Sequence, residues 1–190
     1  LEAVLAAHAT SKRKLIITDG VFSMDGDIAP LDEINQLAKE YGAMVYVDDC
    51  HGEGVLGDTG AGIVDHFGLQ GSIDFETGSF SKALGVQGGI LAGTEMTRNH
   101  ALNHSRSWLL SGSQPPGVAA AQKAAVEVLM DEPEHHQKLW ENTHYFRSEL
   151  QSMGFDTGVS TTPIIPVMCG ESSVAKQFTT ELSNEGVMAG

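Results

Sequence analysis

The sequence PLDEINQLAKEYGAMVYVDDCHG, residues 30–52, decides the fold because a helix, a strand and a polar cluster follow one another there. Residues 30–41 predict a helix, since Pro30 suits the first turn and apolar side chains recur three and four positions apart. Gly42 is the residue type that commonly ends a helix. The run Met-Val-Tyr-Val at 44–47 predicts a buried strand, and the polar cluster comes directly after it.

The same alternation extends on both sides of this stretch. Further strands are predicted at 14–18, 73–77 and 89–92, and an alanine-rich helix is predicted at 116–130. Strands that alternate with helices form a largely parallel sheet that is covered by helices. The sequence therefore predicts an α/β fold.

A domain boundary is predicted near Asp131-Glu132-Pro133, where a proline opens a new helical pattern. Residues 1–132 then form one domain, and residues 133–190 begin a second, smaller α/β domain. Its predicted elements are a long helix, a strand and a helix, at 133–153, 163–168 and 172–185. One face of the long helix is predicted to pack inward through Leu139, Thr143, Phe146, Leu150 and Met153.

Composition excludes several classes of function. The chain has 11 Lys and Arg against 25 Asp and Glu, a net charge of −14, and it lacks the basic patch that binds nucleic acid. Apolar runs are shorter than the roughly 18–20 residues that span a bilayer. Two cysteines, Cys50 and Cys169, are too few for a disulfide framework and fit a reducing compartment. We expect a cytoplasmic protein, and we expect a chain that runs from Leu1 to Gly190 to be an internal piece of a longer one.

Glycine is frequent, at 22 of 190 residues, against a usual share of about 7%. The glycines cluster between residues 52 and 93, in loops beside short apolar runs. This pattern predicts backbone that is held close to a ligand.

Three polar clusters follow three predicted strands, at residues 18–26, 48–52 and 78–82. Ligands of open parallel sheets bind outside the carboxyl ends of the strands, so one pocket is expected to collect an acid, a histidine, hydroxyl groups and a lysine. Lys82 is the sharpest signal, because an amine in an apolar, glycine-flanked turn can lose its proton and bond to a carbonyl carbon. Asp48 is suited to hold a cationic ring nitrogen.

Each of these residues also has a simpler interpretation. Lys82 fits an ordinary surface lysine, Asp48 fits an acid that caps a turn, and His51 fits a solvated loop histidine. The string Asp48-Asp49-x-His51 resembles a metal site, but no matching His or Glu pair stands out elsewhere, so we predict no metal. Ser79-x-x-Lys82 fits the pattern of penicillin-recognising hydrolases, but neither Lys-Thr-Gly nor Ser-Asp-Asn follows it.

Three motifs together resemble the α-oxoamine synthases. They are T-D-G-V-F-S-M-D-G-D-I-A-P-L at 18–31, V-D-D-C-H-G at 47–52 and S-F-S-K-A-L-G at 79–85. The members of that family are pyridoxal-phosphate (PLP) enzymes with the three-layer, aspartate-aminotransferase-like fold of fold type I. The resemblance implies this fold and this cofactor. It also implies that residues 1–132 are the later part of the large PLP-binding domain and 133–190 the start of the small one.

The resemblance implies a role for each matching residue. Lys82 matches the lysine that bonds covalently to PLP, Asp48 matches the acid paired with the pyridine nitrogen, and His51 matches the histidine near the phenolic oxygen. The other matches are Ser23 in the same pocket, Ser79 at the phosphate, and Ser111 and Gly112 at the phosphate of a neighbouring subunit, which implies a homodimer. Two positions depart from the family pattern: Cys50, where Ala or Ser is usual, and Gly112, where Thr or Asn is more common.

Within this family, the segments 132–143 and 163–166 favour the members that condense glycine with acetyl-CoA to give 2-amino-3-oxobutanoate and CoA. The alternative is the members that join alanine to a long acyl thioester in biotin synthesis. A third possibility is a chain that only folds or dimerises. Thioester consumption with glycine or with alanine separates the first two.

Overall fold

A computed structural model describes residues 1–189, and its centre is a four-stranded sheet. The strands lie side by side in chain order, β1-β2-β3-β4, with β1 and β2 parallel, β2 and β3 parallel, and β3 and β4 antiparallel. Their bounds are Leu15–Asp19 (β1), Met44–Asp48 (β2), Phe75–Ser79 (β3) and Gly89–Gly93 (β4). The predicted α/β fold with a mostly parallel sheet is confirmed.

Eight helices accompany the sheet in the described part of the chain. In chain order they are Glu2–Ala7 (α1), Leu31–Tyr41 (α2), Ile63–His66 (α3), Glu95–His104 (α4), Arg106–Leu109 (α5), Pro116–Asp131 (α6), Glu134–Ser152 (α7) and Ser172–Asn184 (α8). Sequence periodicity predicted α2, α6, α7 and α8. Helices α3 and α5 are only four residues long, which is too short for a periodic pattern to show. No helix among residues 1–189 combines the length and the apolar character that a membrane crossing requires.

Helix α4 was missed because its sequence, EMTRNHALNH, is polar and has no buried residue. Its start nevertheless carries a recognisable signal, since the side-chain oxygen of Thr94 accepts a hydrogen bond from the Thr97 N–H at 3.2 Å. Threonine in this capping position supplies an acceptor to the first turn of a helix.

Helix α2 forms as predicted and packs on the sheet. Leu31 and Ala38 are buried on its inner face, and Gly42 ends it with a left-handed backbone conformation (φ 60°). The core lies between this helix and the sheet, where Val45 and Val47 of β2 are 1% and 0% exposed. Because every second residue of a strand points to the same face, these two valines hold β2 in a fixed register.

That register aligns the strand ends. Asp19, the last residue of β1, pairs with Asp48, the last residue of β2, and Asp48 pairs with Thr77 of β3. The three parallel strands therefore end at one edge of the sheet, and the loops that leave this edge begin side by side.

The predicted strand at 163–168 is wrong, because no strand forms in that segment. Pro163 and Pro166 each lack the N–H that a sheet ladder requires, and Met168 instead donates its N–H to Asp156 O at 2.9 Å. The predicted inner face of α7 is also only partly correct. Thr143 and Leu150 are buried as expected, but Phe146 and Met153 are exposed.

The loop that follows β1 is fastened to the 160–162 segment by buried hydroxyl groups. The Gly26 carbonyl accepts one hydrogen bond from Ser160 Oγ at 3.1 Å and another from Thr162 Oγ1 at 3.0 Å. Ser160 and Thr162 are 6% and 1% exposed. This contact joins parts of the chain that lie more than 130 positions apart.

Replacing Gly26 with alanine is expected to destabilise the fold by about 2–4 kcal/mol, since overpacking and backbone strain add. The new Cβ would lie 2.5 Å from Ser160 Oγ and 2.6 Å from Ile164 O, at a φ of 69°. Gly42→Ala is the matched control, because its φ is 60° and nothing lies within 4 Å of its Cβ position. Urea unfolding of both variants checks this, and equal losses would show that the contact at Gly26 contributes nothing.

Candidate active site

Three loops leave the carboxyl edge of the sheet and form the candidate site. They are residues 20–29 after β1, 49–62 after β2 and 80–88 between β3 and β4. Two backbone hydrogen bonds tie them together where they start, from Gly20 N–H to Asp48 O and from Asp49 N–H to Thr77 O, both at 2.7 Å. The predicted convergence of the three polar clusters at one edge is therefore seen in the structure.

Asp48, His51 and Lys82 come together at this edge. Asp48 is half-buried, and its Oδ1 accepts the Cys50 N–H at 3.0 Å. Burial lowers the pKa of His51, and the positive charge of Lys82 lowers it further, whereas the charges of Asp19 and Asp48 raise it. One imidazole thus responds to both the amine and the acid that the sequence singled out, and the net downward shift of its pKa favours its neutral form.

Lys82 lies in the turn between β3 and β4. Phe80 is buried beneath this turn, with its N–H donated to Gly88 O at 3.0 Å and its carbonyl accepting the Val86 N–H at 2.7 Å. The expectation that apolar neighbours desolvate Lys82 is wrong for this chain, because the lysine is exposed. The turn is not the start of a helix, so the hydrolase interpretation of Ser79-x-x-Lys82 has no structural support.

Two hydroxyl groups lie beside Lys82 at the end of β3. Ser79 Oγ and Ser81 Oγ are 2.7 Å apart, and Ser79 Oγ also accepts the Ser81 N–H at 3.2 Å. Sequence reasoning predicted Ser79 but missed Ser81, although the alternation Ser-x-Ser-Lys was visible. Paired hydroxyls next to a cationic amine are suited to bind an anionic oxygen group such as a phosphate.

The remaining predicted residues are at the surface. Ser23 is exposed in the turn of the loop after β1, and Ser111 and Gly112 are exposed between α5 and α6. Ser111 Oγ accepts the Ser113 N–H at 3.1 Å, and nothing in residues 1–189 lies within 4 Å of a Cβ placed on Gly112. Their assignment to a phosphate of a second subunit stays a prediction.

The surroundings of Cys50 disfavour a reactive thiol. Burial raises its pKa to about 11, with a further increase from its hydrogen bond to Asp48. The thiolate is the reactive form of cysteine, so its fraction at neutral pH is small. The interpretation of Cys50 as a small, tolerated side chain is favoured over a redox-sensitive site.

Three acids outside the predicted set of site residues line a cavity of about 160 Å³. They are Asp49, Glu53 and Glu76, and burial raises the pKa of each, that of Asp49 to about 7. Asp49 Oδ2 accepts the Ile63 N–H at 2.8 Å, but its Oδ1 has no hydrogen-bond partner in residues 1–189. Gly20, Gly52 and Gly62 lie against the Asp49 carboxylate, a set of contacts that the sequence pattern does not report.

Asp49→Asn is expected to change how stability depends on pH. In the folded chain burial raises the pKa of Asp49 to about 7 from an ordinary 3.8, so between these values the folded state binds more protons than the unfolded state. Stability of the wild type therefore falls as pH rises through this window and does not change further above it. The neutral amide escapes this loss, which is on the order of 4 kcal/mol.

Urea unfolding at a series of pH values measures this effect. The free energy of unfolding of Asp49→Asn should equal that of the wild type near pH 4 and exceed it at pH 8. Asp58→Asn removes an exposed acid of the same loop, and its free energy of unfolding should follow the wild-type curve. If the free energies of unfolding of the wild type and of Asp49→Asn fell in parallel as pH rises, Asp49 would be ionised throughout this range.

The groups at the sheet edge fit PLP. A primary amine, a carboxylate and a pair of hydroxyls are the groups that bind an aldehyde carbon, a protonated ring nitrogen and a phosphate, and Lys82, Asp48 and the Ser79–Ser81 pair supply them. Together with the sheet order, this donor set defines the class of PLP-dependent transferases of fold type I. A family model described as "Aminotransferase class I and II" matches residues 1–189, and the chain belongs to that family.

Two curated relatives indicate which members of this family the chain is similar to. The chain is 50% identical over 189 residues to an 8-amino-7-oxononanoate synthase of Thermosipho melanesiensis, covering 100% of the chain and 48% of the relative. It is 54% identical over 179 residues to that of Fervidobacterium nodosum, covering 94% of the chain and 45% of the relative. The chain spans about half the length of the curated relatives it matches.

A solved structure agrees with the fold. A serine palmitoyltransferase variant from S. paucimobilis with bound PLP–myriocin has a TM-score of 0.94 and 33% identity, covering 100% of this chain and 50% of that one. The relatives are α-oxoamine synthases, as the motifs implied. They favour the alternative interpretation, an 8-amino-7-oxononanoate synthase, over the glycine and acetyl-CoA interpretation, which the comparisons do not support.

Proposed function

We propose that this chain carries the PLP site of an enzyme that joins an amino acid to an acyl thioester, and that the substrates are alanine and a long acyl thioester. The observation that carries the proposal is about 50% identity to 8-amino-7-oxononanoate synthases along the whole chain. The meeting of Asp48, His51 and Lys82 at one sheet edge supports it. In this proposal residues 1–132 belong to the cofactor-binding domain and residues 133–190 to the smaller domain.

PLP, when bound, supplies an electron sink for negative charge at the substrate α-carbon. The carboxylate of Asp48 holds a proton on the ring nitrogen, because an anion next to a basic nitrogen favours its charged form. One Asp48 oxygen is already fixed by the Cys50 N–H, which sets the direction of the carboxylate. The hydroxyls of Ser79 and Ser81 orient the phosphate.

Lys82 has two tasks in this proposal. Its Nζ would hold the cofactor aldehyde, in a condensation that releases one water, and the same nitrogen, when free as the neutral amine, would accept the α-proton of the amino acid. The turn that contains the buried Phe80 places Lys82 in the loop after β3, at the carboxyl edge of the sheet. Burial and Lys82 lower the pKa of His51, which favours a neutral ring that could donate or accept a hydrogen bond at the cofactor's phenolic oxygen.

A homodimer is part of the proposal. Trp108, Leu109 and Leu110 are 60%, 53% and 80% exposed directly before Ser111 and Gly112, and an exposed apolar run of this kind is typical of an interaction surface. We expect a molar mass of about twice 20.2 kDa by light scattering at micromolar concentration. A single 20.2 kDa species at every concentration tested would contradict the dimer.

The experiment that tests the function is a thioester assay on the chain loaded with PLP. Release of CoA is followed with alanine and a long-chain acyl-CoA, and in parallel with glycine and acetyl-CoA. The proposal expects release mainly with the first pair. Release only with the second pair would return the assignment to a glycine C-acetyltransferase, and a PLP-loaded chain inactive with both would favour a chain that only folds or dimerises.

A further inference from the structure

We propose that Asp49 is a positioning residue, whose enclosed carboxyl group holds the loop with His51 against the carboxyl edge of the sheet. Only the reaction that this site would serve depends on the proposed function. The placement of Asp49 stands on contacts within residues 1–189, and the tests below separate the two.

Hydrogen bonds from Asp49 reach both ends of its loop. Its backbone N–H donates to Thr77 O of β3 at 2.7 Å, and its carbonyl accepts the N–H groups of Gly52 and Glu53 at 3.0 and 2.9 Å. Its side-chain Oδ2 accepts the Ile63 N–H, at the start of α3, at 2.8 Å. A single residue thus anchors the 50–62 loop where it leaves β2 and again where it enters α3.

Three glycines from separate parts of the sequence enclose the carboxyl group. A Cβ placed on Gly20 would lie 2.6 Å from Asp49 Oδ1, one on Gly52 would lie 2.1 Å from the same oxygen, and one on Gly62 would lie 2.1 Å from Oδ2. Real Cβ atoms essentially never come so close. The backbone at these positions therefore approaches Asp49 to a distance that only glycine allows.

This enclosure constrains His51 in particular. His51 lies in the short segment 50–51, between Asp49 and Gly52, and Gly52 both donates its N–H to the Asp49 carbonyl and lies against the Asp49 carboxyl group. Asp49 is 1% exposed, so we expect it not to touch a substrate directly. Asp49 would affect the chemistry indirectly, because it holds the segment that carries His51 and the Cys50 N–H, which binds Asp48.

The pKa of His51 is the direct readout, measured by NMR titration of the chain without PLP, with His51→Gln used to assign the signal. Asp49→Ala should raise the pKa of His51 toward its ordinary value, because a loosened loop exposes the imidazole and moves it away from Lys82. Asp49→Asn keeps the shape and an acceptor for Ile63, so it should retain the lowered value. Asp58→Ala is the control for removal of an exposed acid from this loop. A folded Asp49→Ala chain with the wild-type pKa of His51 would overturn the proposal.

A double-variant comparison keeps the proposal testable even where Asp49→Ala alone folds poorly. The three nearest atoms to a Cβ on Gly52 all belong to Asp49, and its backbone is not in the left-handed region. Gly52→Ala should therefore lower the urea midpoint clearly in the wild type and far less in an Asp49→Ala background. An equal loss in both backgrounds would show that the glycine does not accommodate the carboxyl group.

PLP binding then tests the link between Asp49 and the proposed function separately. The PLP concentration for half-saturation should rise in Asp49→Ala and should return close to wild type in Asp49→Asn. Wild-type chain that binds no PLP would sink the proposed function, whereas the His51 titration and the Gly52 comparison would still decide the role of Asp49.

Discussion

Replacing Lys82 with alanine is expected to abolish the covalent attachment of PLP and to lower turnover by about 100- to 10,000-fold, the range typical of a lost general acid or base. The amine is exposed in its turn, and its charge acts on the imidazole of His51. The visible absorbance of the bound cofactor and the rate of CoA release are the two measurements. The variant should still fold, because the side chain is at the surface.

Lys39→Ala is the matched control for this change, because Lys39 is an exposed lysine at the end of α2. It should keep both the absorbance and the rate. If Lys82→Ala retained a cofactor that borohydride can fix to the protein, the assignment of Lys82 would be wrong, and another amine would have to be sought.

Replacing Asp48 with asparagine is expected to leave PLP bound and to lower turnover by about 100- to 1,000-fold, as when one fixed electrostatic partner of a reaction is removed. Asparagine keeps an acceptor for the Cys50 N–H, so the loop stays in place while the negative charge is lost. The rate therefore reports the charge opposite the ring nitrogen rather than the fold.

Asp25→Asn, which neutralises an exposed acid in the loop after β1, is the control for the change in net charge. Its rate should equal that of the wild type. Near-normal turnover of Asp48→Asn would show that this carboxylate does not support the electron sink.

The sequence predicted the parts of this structure that depend on local pattern. The strands at 44–47 and 14–18 and the helix at 30–41 were visible because buried valines, leucines and isoleucines recur with the period of each element. Clusters at strand ends followed from chain order, since parallel strands end at one edge. The 163–168 strand failed because a strand needs a partner as well as apolar residues, and two prolines remove donors there.

The glycines show what local pattern cannot reveal. Their clustering predicted backbone close to a ligand, but Gly52 and Gly62 instead approach the carboxyl group of Asp49, and Gly78 lies against Glu53 in the same way. Gly62 and Gly78 lie far along the chain from the carboxylates that they contact, and the approach of Gly52 to Asp49 depends on how the loop folds. Neither composition nor spacing therefore predicts these contacts. The exposure of Lys82 was missed for the same reason, because its apolar neighbours in sequence do not surround it in space.

Borohydride reduction of the PLP-loaded chain, followed by peptide mass spectrometry, tests the central claim most directly. The account predicts that the reduced cofactor is found on Lys82 and on no other lysine. Reduced cofactor at another lysine or at the amino group of Leu1, or bound PLP that borohydride fixes nowhere on the chain, would contradict it.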